Sequence, residues 1–256
     1  KGKVVAIRGI FQDITQEKEA TRLMAQYTEE LEKKNKELDQ FAYVVSHHLK
    51  APLRGINNLS LWIEEDLEGK LEADTKNNLD LMRKRVKRME GLIDGILQYS
   101  RAGRIKHETA EFNLKATLEE LINNLAPDEK FKITLQEDLP NLKTEKIAIE
   151  QVFANYISNA LKYNNNPTPT VDVSYIVKDG FYEFCVADNG PGIEKEFHEK
   201  VFVIFQTLQA RDTYESTGVG LAIVKKMVED KGGRVWIESE KGLGTKFYFS
   251  WPVNEN

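Results

Sequence analysis

The stretch YVVSHHLKAPLR, residues 43–54, places two adjacent histidines, His47 and His48, on a predicted helix just ahead of Pro52. A proline lacks a backbone donor and disturbs the preceding helical turn, so we expect the helix to be interrupted here. Histidine has its ordinary pKa close to neutrality, and its neutral ring is a nucleophile. Taken alone, the stretch predicts ordinary histidines on a helix surface, with a reactive imidazole as the alternative.

Residues 16–46, upstream of the histidines, contain neither proline nor glycine and repeat apolar residues with heptad spacing. Because glutamate and lysine dominate outside this seam, we predict a two-stranded coiled coil; an amphipathic helix packed within its own domain is the alternative. Residues 1–15 have the pattern of a strand that leads into a helix start. One row of this apolar seam consists of Met24, Leu31, Leu38 and Val45, and the other consists of Ala20, Tyr27 and Phe41, interrupted by Lys34.

Downstream of Pro52 the helical pattern resumes, breaks at residues 68–70 and returns from Leu71 to Ser100. Two long helices joined by a short turn predict a helical hairpin. Because the first helix continues from a dimeric coil, two hairpins are expected to form a four-helix bundle as a dimer. The basic run at residues 83–88 is interpreted as a solvated face, with docking of an acidic partner as the alternative.

The pattern changes after about residue 104. Helical segments now alternate with pairs of strand-like segments such as TVDVSYIV and FYEFCVAD, and not in a regular strand–helix–strand order. We therefore predict an α/β two-layer sandwich, in which helices cover one face of a mixed sheet.

Composition narrows the possible functions. The 256 residues are 41% hydrophobic, which allows a substantial core and about two domains. A net charge of −5 argues against nucleic acid as a partner. The chain has no apolar run long enough to cross a membrane, and its one cysteine, Cys185, is expected to be a buried structural thiol.

The segment NYISNALKY carries the first of four polar blocks in the second domain. Its spacing places Asn155, Asn159 and Lys162 on one face of a helix, with Tyr163 beside them. An amide oxygen is a hard neutral ligand that suits magnesium, and a lysine one turn away can neutralise phosphate oxygens. This face is a candidate site for a phosphate-bearing ligand.

The other three blocks are rich in glycine. In DNGPGI, Asp188 can accept a hydrogen bond from an adenine amino group, and the glycines allow a base to approach the backbone. Gly218 and Gly220 stand at a predicted helix start, where free amides attract phosphate. Each block alone is weak, but the four in this order form a strong signal; the last block, GLGTKF, supplies Gly242, Gly244 and Thr245.

Together these blocks resemble the N, G1, G2 and G3 boxes of the sensor histidine kinases. SHHLKAPL is similar to the H box of that family, and Phe202 with Phe205 to its F box. Similar proteins bind ATP and magnesium, transfer the γ-phosphate to the first histidine of the H box, here His47, and pass it to an aspartate of a response regulator. The resemblance covers about residues 16–253, and residues 1–15 look like the last strand of a PAS sensor domain.

The resemblance implies a role for each matching residue. His47 would be the phospho-acceptor, His48 and Asn155 would be catalytic residues, and Asn159 would also bind magnesium. Asn155 distinguishes the family from related ATPases, which carry a water-activating glutamate at that position. The implied nucleotide-binding residues are Asn159, Lys162, Tyr163, Asp188, Gly190, Gly192, Ile193, Phe205, Gly218, Val219, Gly220, Leu221 and Thr245.

Three departures from the family pattern stand out. His48 occupies the position where similar kinases have a carboxylate that can accept a proton from the acceptor imidazole. The second departure is that the acid-x-x-Thr/Asn pattern, tied to phosphatase activity in similar proteins, reads His48-Leu-Lys-Ala51. The third is in the lid and the G2 box: Thr207 stands where many relatives have an arginine, with Arg211 nearby, and Ser216 replaces the first glycine. The heptad seam also turns His48 toward the bundle core and leaves His47 directed outward.

The sequence thus predicts a terminal PAS-like strand at 1–15, a coiled-coil signalling helix at 16–46, a dimerisation and phosphotransfer domain at 40–104, and an ATP-binding domain at 105–256. The expected function is ATP-dependent autophosphorylation of His47 in a cytoplasmic homodimer that serves a receiver domain. One alternative is a kinase-impaired ATP-binding scaffold, disabled by His48. An ATP hydrolase is the other, and Asn155 argues against it.

Overall fold

The computed structural model describes residues 13–103, 108–207 and 217–253. The chain divides into two compact units, residues 1–45 and residues 46–256. Among the described residues, no helix combines the length and apolarity that a membrane span requires.

Helix α1 runs from Thr15 to Asp66, and the Asp13 carboxylate accepts its first free amide, that of Thr15, at 3.0 Å. The expected interruption at Pro52 is wrong, because the helix passes through this residue. A proline there removes one backbone hydrogen bond, the bond that would end on the carbonyl of His48. The PAS-like strand lies outside the described residues except at its end.

The first unit contains the predicted coiled-coil segment. The structure confirms the helix, and it leaves Met24 74%, Leu31 65% and Leu38 53% exposed. Such a stripe of exposed apolar residues is what a coiled-coil seam presents before its partner is added. The coiled coil itself stays a prediction.

Helix α2, Ala73–Arg101, pairs with the second part of α1 through a turn that includes Gly69. Leu53, Val86 and Ile93 form the small buried core of this hairpin. Ion pairs join the two helices at both ends of this core: Lys50 pairs with Asp94, and Arg83 Nη1 lies 2.8 Å from a Glu64 oxygen. The predicted hairpin is therefore present.

The α/β layer places three helices on one face of a mixed sheet, as predicted. The sheet has the order β2-β4-β5-β7-β6, with β2 parallel to β4 and the other pairs antiparallel. The helices are α3 (Leu114–Leu125), α4 (Lys146–Tyr163) and α5 (Gly220–Asp230); the strands are β2 (Lys132–Leu135), β4 (Thr170–Lys178), β5 (Phe181–Asp188), β6 (Val235–Ser239) and β7 (Thr245–Pro252).

A separate antiparallel ribbon pairs β1 (Thr109–Asn113) with β3 (Asn141–Glu145), and the sequence did not predict it. Its inner side closes the core, because the Trp251 ring nitrogen donates to the Thr144 hydroxyl at 3.0 Å. The ribbon thus joins the end of β7 to the start of α4.

Aromatic residues between α4 and the sheet fix the position of that helix. The Phe153 ring lies 5.3 Å from the ring of Phe184 and 5.1 Å from that of Phe249, and Tyr156 stacks on Phe247 at 5.1 Å. All of these residues are buried. Since α4 buries this face, its polar face with Asn155 and Asn159 is directed elsewhere, toward the site described next.

Candidate nucleotide site

A cavity of about 640 Å³ opens between α4, the end of β5 and the start of α5. Its volume falls within the range of small-molecule sites, about 300–1,000 Å³. The apolar wall includes Ile193, Phe197, Val201, Leu221 and Phe247; the polar wall includes Arg88, Asn155, Ser158, Asn159, Lys162, Tyr163, Asn164, Asp188, Glu194, Gln206, Thr207, Thr217, Lys241 and Thr245.

Helix α4 contributes the polar face that the sequence predicted. Asn155, Asn159 and Lys162 all line the cavity, together with Tyr163 at the helix end. The Asn155 amide donates to the Gln151 carbonyl at 2.8 Å, so its orientation is fixed. The Lys162 ammonium lies 5.7 Å from the centre of the Tyr163 ring. An oriented amide and a lysine on one face suit a ligand that carries phosphate.

Asp188 ends β5 at the cavity wall. Its carboxylate accepts the Gly190 amide at 2.8 Å, and burial raises the pKa of this carboxyl above its ordinary value. A partly desolvated carboxylate at a cavity wall is the acceptor that an adenine amino group requires. Gly190 does not line the cavity itself, although it holds Asp188 in place.

Asn189 organises the loop beside Asp188, and sequence reasoning missed it. Its side-chain oxygen accepts the Asn164 amide at 2.9 Å and the Thr170 backbone amide at 2.8 Å. Its side-chain nitrogen donates to the Thr168 carbonyl at 2.9 Å. The residue lies inside the DNGPGI block, but the sequence assigned it no role, because its partners lie in the loop after α4 and at the start of β4.

The glycine blocks bring loops together at the other walls. Gly192 and Ile193 line the cavity beside Thr245, which begins β7. The Ile193 amide donates to the Ser239 hydroxyl at 2.8 Å, and the Gly242 amide donates to the Pro191 carbonyl at 2.7 Å. The loops around DNGPGI and GLGTKF therefore support each other.

Gly218 is at a close approach between two segments of the chain. Its φ angle is +65°, and a Cβ at this position would lie 2.6 Å from the Gln206 carbonyl oxygen. Gly220 begins α5, and a Cβ there would lie 2.5 Å from the Asn155 side-chain oxygen. Only glycine satisfies both constraints, so the free amides at the start of α5 stay close to the cavity.

Some predicted residues lie outside the cavity wall. Phe205 is 45% exposed with a φ of +66°, and its amide donates to the Gly218 carbonyl at 2.8 Å. Val219 is buried against helix α2 and does not line the cavity. Arg211 and Ser216 lie outside the described residues, whereas Thr207 lines the cavity.

The two histidines lie on the exposed surface of α1 and not in the cavity wall. Their ring centres are 5.9 Å apart and the rings are nearly perpendicular. Both side chains are exposed in the single chain, so the predicted difference in direction between His47 and His48 stays a prediction.

Several wall residues were not predicted as binding residues. Arg88 belongs to the basic run that was interpreted as a solvated face, and that run was the signal available for it. Lys241 forms an ion pair with Glu194 across the cavity mouth. Among the described residues, no cluster of histidine, cysteine, aspartate and glutamate has the arrangement of a metal site. A cation here would depend on Asn159 and on the ligand's own oxygens.

Two family descriptions match the chain in sequence. The "His Kinase A (phospho-acceptor) domain" matches residues 37–104. The "Histidine kinase-, DNA gyrase B-, and HSP90-like ATPase" matches residues 144–255. The first match includes both histidines, and the second includes all the cavity residues named above except Arg88.

Curated relatives match along most of the chain. Cyanobacterial phytochrome B of Nostoc sp. is 38% identical over 232 residues, which are 89% of this chain and 31% of that protein. The methanogenesis regulatory histidine kinase FilI of Methanothrix harundinacea is 33% identical over 88% of this chain and 26% of its own length. The chain thus spans about a third or less of the length of these relatives.

Solved structures support the fold. The match to full-length ShkA, solved in complex with AMPPNP, covers 85% of this chain and 46% of the ShkA chain. Its TM-score is 0.62 at 24% sequence identity. The match to histidine kinase ThkA, solved in complex with the response regulator protein TrrA, covers 90% of this chain and 67% of the matched chain. Its TM-score is 0.58 at 22% sequence identity.

Proposed function

The chain belongs to the sensor histidine kinases, as a catalytic region of two-component signalling, and from this membership we propose that it phosphorylates its own His47 with ATP bound in the cavity. The observation that supports the proposal is one cavity with an oriented amide on α4, a partly buried carboxylate on β5 and free amides at the start of α5. These are the groups that an adenine and a triphosphate need.

In the proposed complex, Asp188 accepts the adenine amino group, while Ile193 and Leu221 contact the base. The triphosphate lies between Lys162 and the amides at the start of α5, where the helix dipole favours negative charge. The wall of the cavity also includes Tyr163, Gly192 and Thr245. In this proposal three residues outside the wall hold the surrounding loops in place: Gly190, Phe205 and Val219. Asn159 is the proposed ligand for Mg²⁺, which would enter with the triphosphate and neutralise its charge.

In the proposed reaction, a ring nitrogen of neutral His47 attacks the γ-phosphorus, the bond to the β-phosphate oxygen breaks, and ADP leaves. The imidazole proton passes to an acceptor at the H box, where His48 in its neutral form is the adjacent candidate. The phosphoryl group then passes from His47 to a receiver aspartate. An amide is a poor base, so Asn155 does not activate water in this proposal. Its role is to position the triphosphate.

We propose the homodimer as the working unit and a response-regulator receiver domain as the partner, because the phospho-acceptor hairpin has an uncovered apolar face. An upstream sensor, such as a PAS domain, would precede this region, which we place in the cytoplasm with the ATP that it uses.

A kinase-impaired scaffold remains the second candidate, because His48 stands where a carboxylate would help proton removal. Incubation with γ-labelled ATP and magnesium distinguishes the candidates. A kinase places acid-labile label on the protein, a hydrolase releases labelled phosphate, and a scaffold binds ATP without either product. We expect acid-labile label that survives alkali; unlabelled protein that still binds ATP would contradict the proposal.

A further inference from the structure

Helix α2 packs one narrow face onto residues 217–219 at the cavity, a segment that we call the glycine loop. A Cβ at Gly91 would lie 3.0 Å from the Thr217 methyl, and a Cβ at Gly95 would lie 2.7 Å from a Val219 methyl. Both contact positions on α2 are glycines and have no side chain, so the backbone of α2 lies close to the loop. Val219 is 1% exposed as a result.

Further contacts hold the same face of α2 in place. The Lys226 ammonium donates to the Tyr99 carbonyl at 2.8 Å and lies 4.8 Å from the centre of the Tyr99 ring. Ala102 is buried within the core of the α/β layer. Tyr99 and Ala102 follow Gly91 and Gly95 at helical spacings, so one stripe of α2 is docked along α5.

Arg88 is one turn before Gly91 on this stripe, and it lines the cavity together with Thr217, Gly218 and Asn155. Arg88 thus belongs to the same cavity wall as Gly218 and Gly220 at the start of α5. Lys162 and Lys241 are the other cations of the described wall, and Lys241 forms an ion pair with Glu194. Arginine presents several donors in a planar fork and binds phosphate through paired hydrogen bonds.

We propose that Arg88 is a ligand of the nucleotide triphosphate, supplied by the hairpin across the glycine contact. This inference rests on the proposed function, since it requires a nucleotide in the cavity. The contact through Gly91 and Gly95 is what brings Arg88 within reach. Bound triphosphate would then hold the glycine loop and α2 together, whereas a nucleoside without phosphates would not.

The test compares Arg88→Gln with Arg85→Gln in the full chain by titration calorimetry, with ATP–Mg²⁺ and with adenosine. Arg85 is exposed on the same helix and does not line the cavity, so it controls for the lost charge. We expect Arg88→Gln to weaken ATP binding about 10-fold or more, the effect of a lost charge-assisted hydrogen bond, and to leave adenosine binding unchanged. Equal ATP affinity of the two variants would overturn the inference.

A second variant tests the geometry. Gly95→Leu would collide with Val219 and separate α2 from the loop, so we expect Arg88→Gln to have no further effect in that background. An undiminished Arg88→Gln effect in Gly95→Leu would contradict the contact as the route. Failure of the parent chain to bind ATP would overturn the proposed function as well, an outcome distinct from equal affinities of the Arg88 and Arg85 variants.

Discussion

Asp188, the proposed acceptor for the adenine amino group, shows how a single residue of a site can lower the stability of the fold. Burial raises the pKa of its carboxyl, while the Gly190 amide, which the carboxylate accepts at 2.8 Å, acts in the opposite direction. Compared with the unfolded chain, the folded state therefore holds the Asp188 proton more tightly, so ionisation of this carboxyl lowers the stability of the nucleotide-free protein as pH rises. The sequence predicted this residue from its motif but not its burial.

Replacing Asp188 with Asn should have opposite effects on binding and on stability. The amide can present a donor to the adenine amino group, so we expect ATP affinity to fall about 10-fold or more. The variant should melt at a higher temperature than the parent near neutral pH, because the buried charge is gone. The difference in melting temperature should shrink as pH falls through the raised pKa of Asp188. Calorimetric titration and thermal melts measure both effects; unchanged ATP affinity would contradict the assignment.

Gly218 can be tested by a single methyl substitution. Gly218→Ala places a methyl 2.6 Å from the Gln206 carbonyl, at a φ of +65°. We expect it to displace the loop and lower ATP affinity about 10-fold or more, through lost contacts to phosphate. Gly180→Ala is the matched control, because Gly180 has a φ of +81° but open space around its Cβ position. The positive φ should cost both variants about 1 kcal/mol of stability, and Gly218→Ala should lose more because its methyl meets the Gln206 backbone. Equal ATP binding by the two variants would contradict the prediction.

At the scale of elements, the helical hairpin has an apolar face that the single chain does not cover. Leu49, Ile56, Leu59 and Ile63 of α1 are all exposed, as are Met89 and Ile96 of α2. The buried core of the hairpin, by contrast, has the three residues Leu53, Val86 and Ile93. We therefore expect a hairpin with so small a core to gain stability from a second copy.

Ile56→Asp should therefore convert the dimer to a monomer. A carboxylate at the centre of the bundle would be buried without a partner, so we expect dimer affinity to fall about 100-fold or more. Asn58→Asp, two residues away and exposed, adds the same charge outside the stripe and should stay dimeric. Light scattering at micromolar concentration gives the mass. A dimeric Ile56→Asp variant, or a monomeric parent, would disagree with this account.

The elements also show what the sequence can and cannot reveal. The helix LKATLEELINNL and the strand TKFYFSWP have the bounds of α3 and β7, because their periodicities are strong and local. The ribbon of β1 and β3 was missed, since TAEFN and NLKTE carry few apolar residues and each finds its partner far along the chain. Pro52 was misjudged, because one lost hydrogen bond does not break a helix of 52 residues.

At the scale of the whole molecule, the cavity collects residues from α2 through β7. The cavity residues on α4 and in the glycine blocks DNGPGI and STGVGL were predictable, because each of these short motifs contains the groups that line the wall together. Arg88 was not, because its place depends on how α2 docks against α5 through Gly91 and Gly95. Long-range packing of this kind leaves no local periodicity or motif in the sequence.

Phosphorylation of His47 by ATP bound in this cavity is the proposed reaction. The most direct measurement is the rate of acid-labile labelling from γ-labelled ATP in the parent, His47→Gln and His48→Asp, with all variants checked for ATP binding. We expect no label on His47→Gln, and faster labelling of His48→Asp, by less than the 10²-fold that general bases typically supply. Acid-labile label on His47→Gln at the parent's rate would contradict the account.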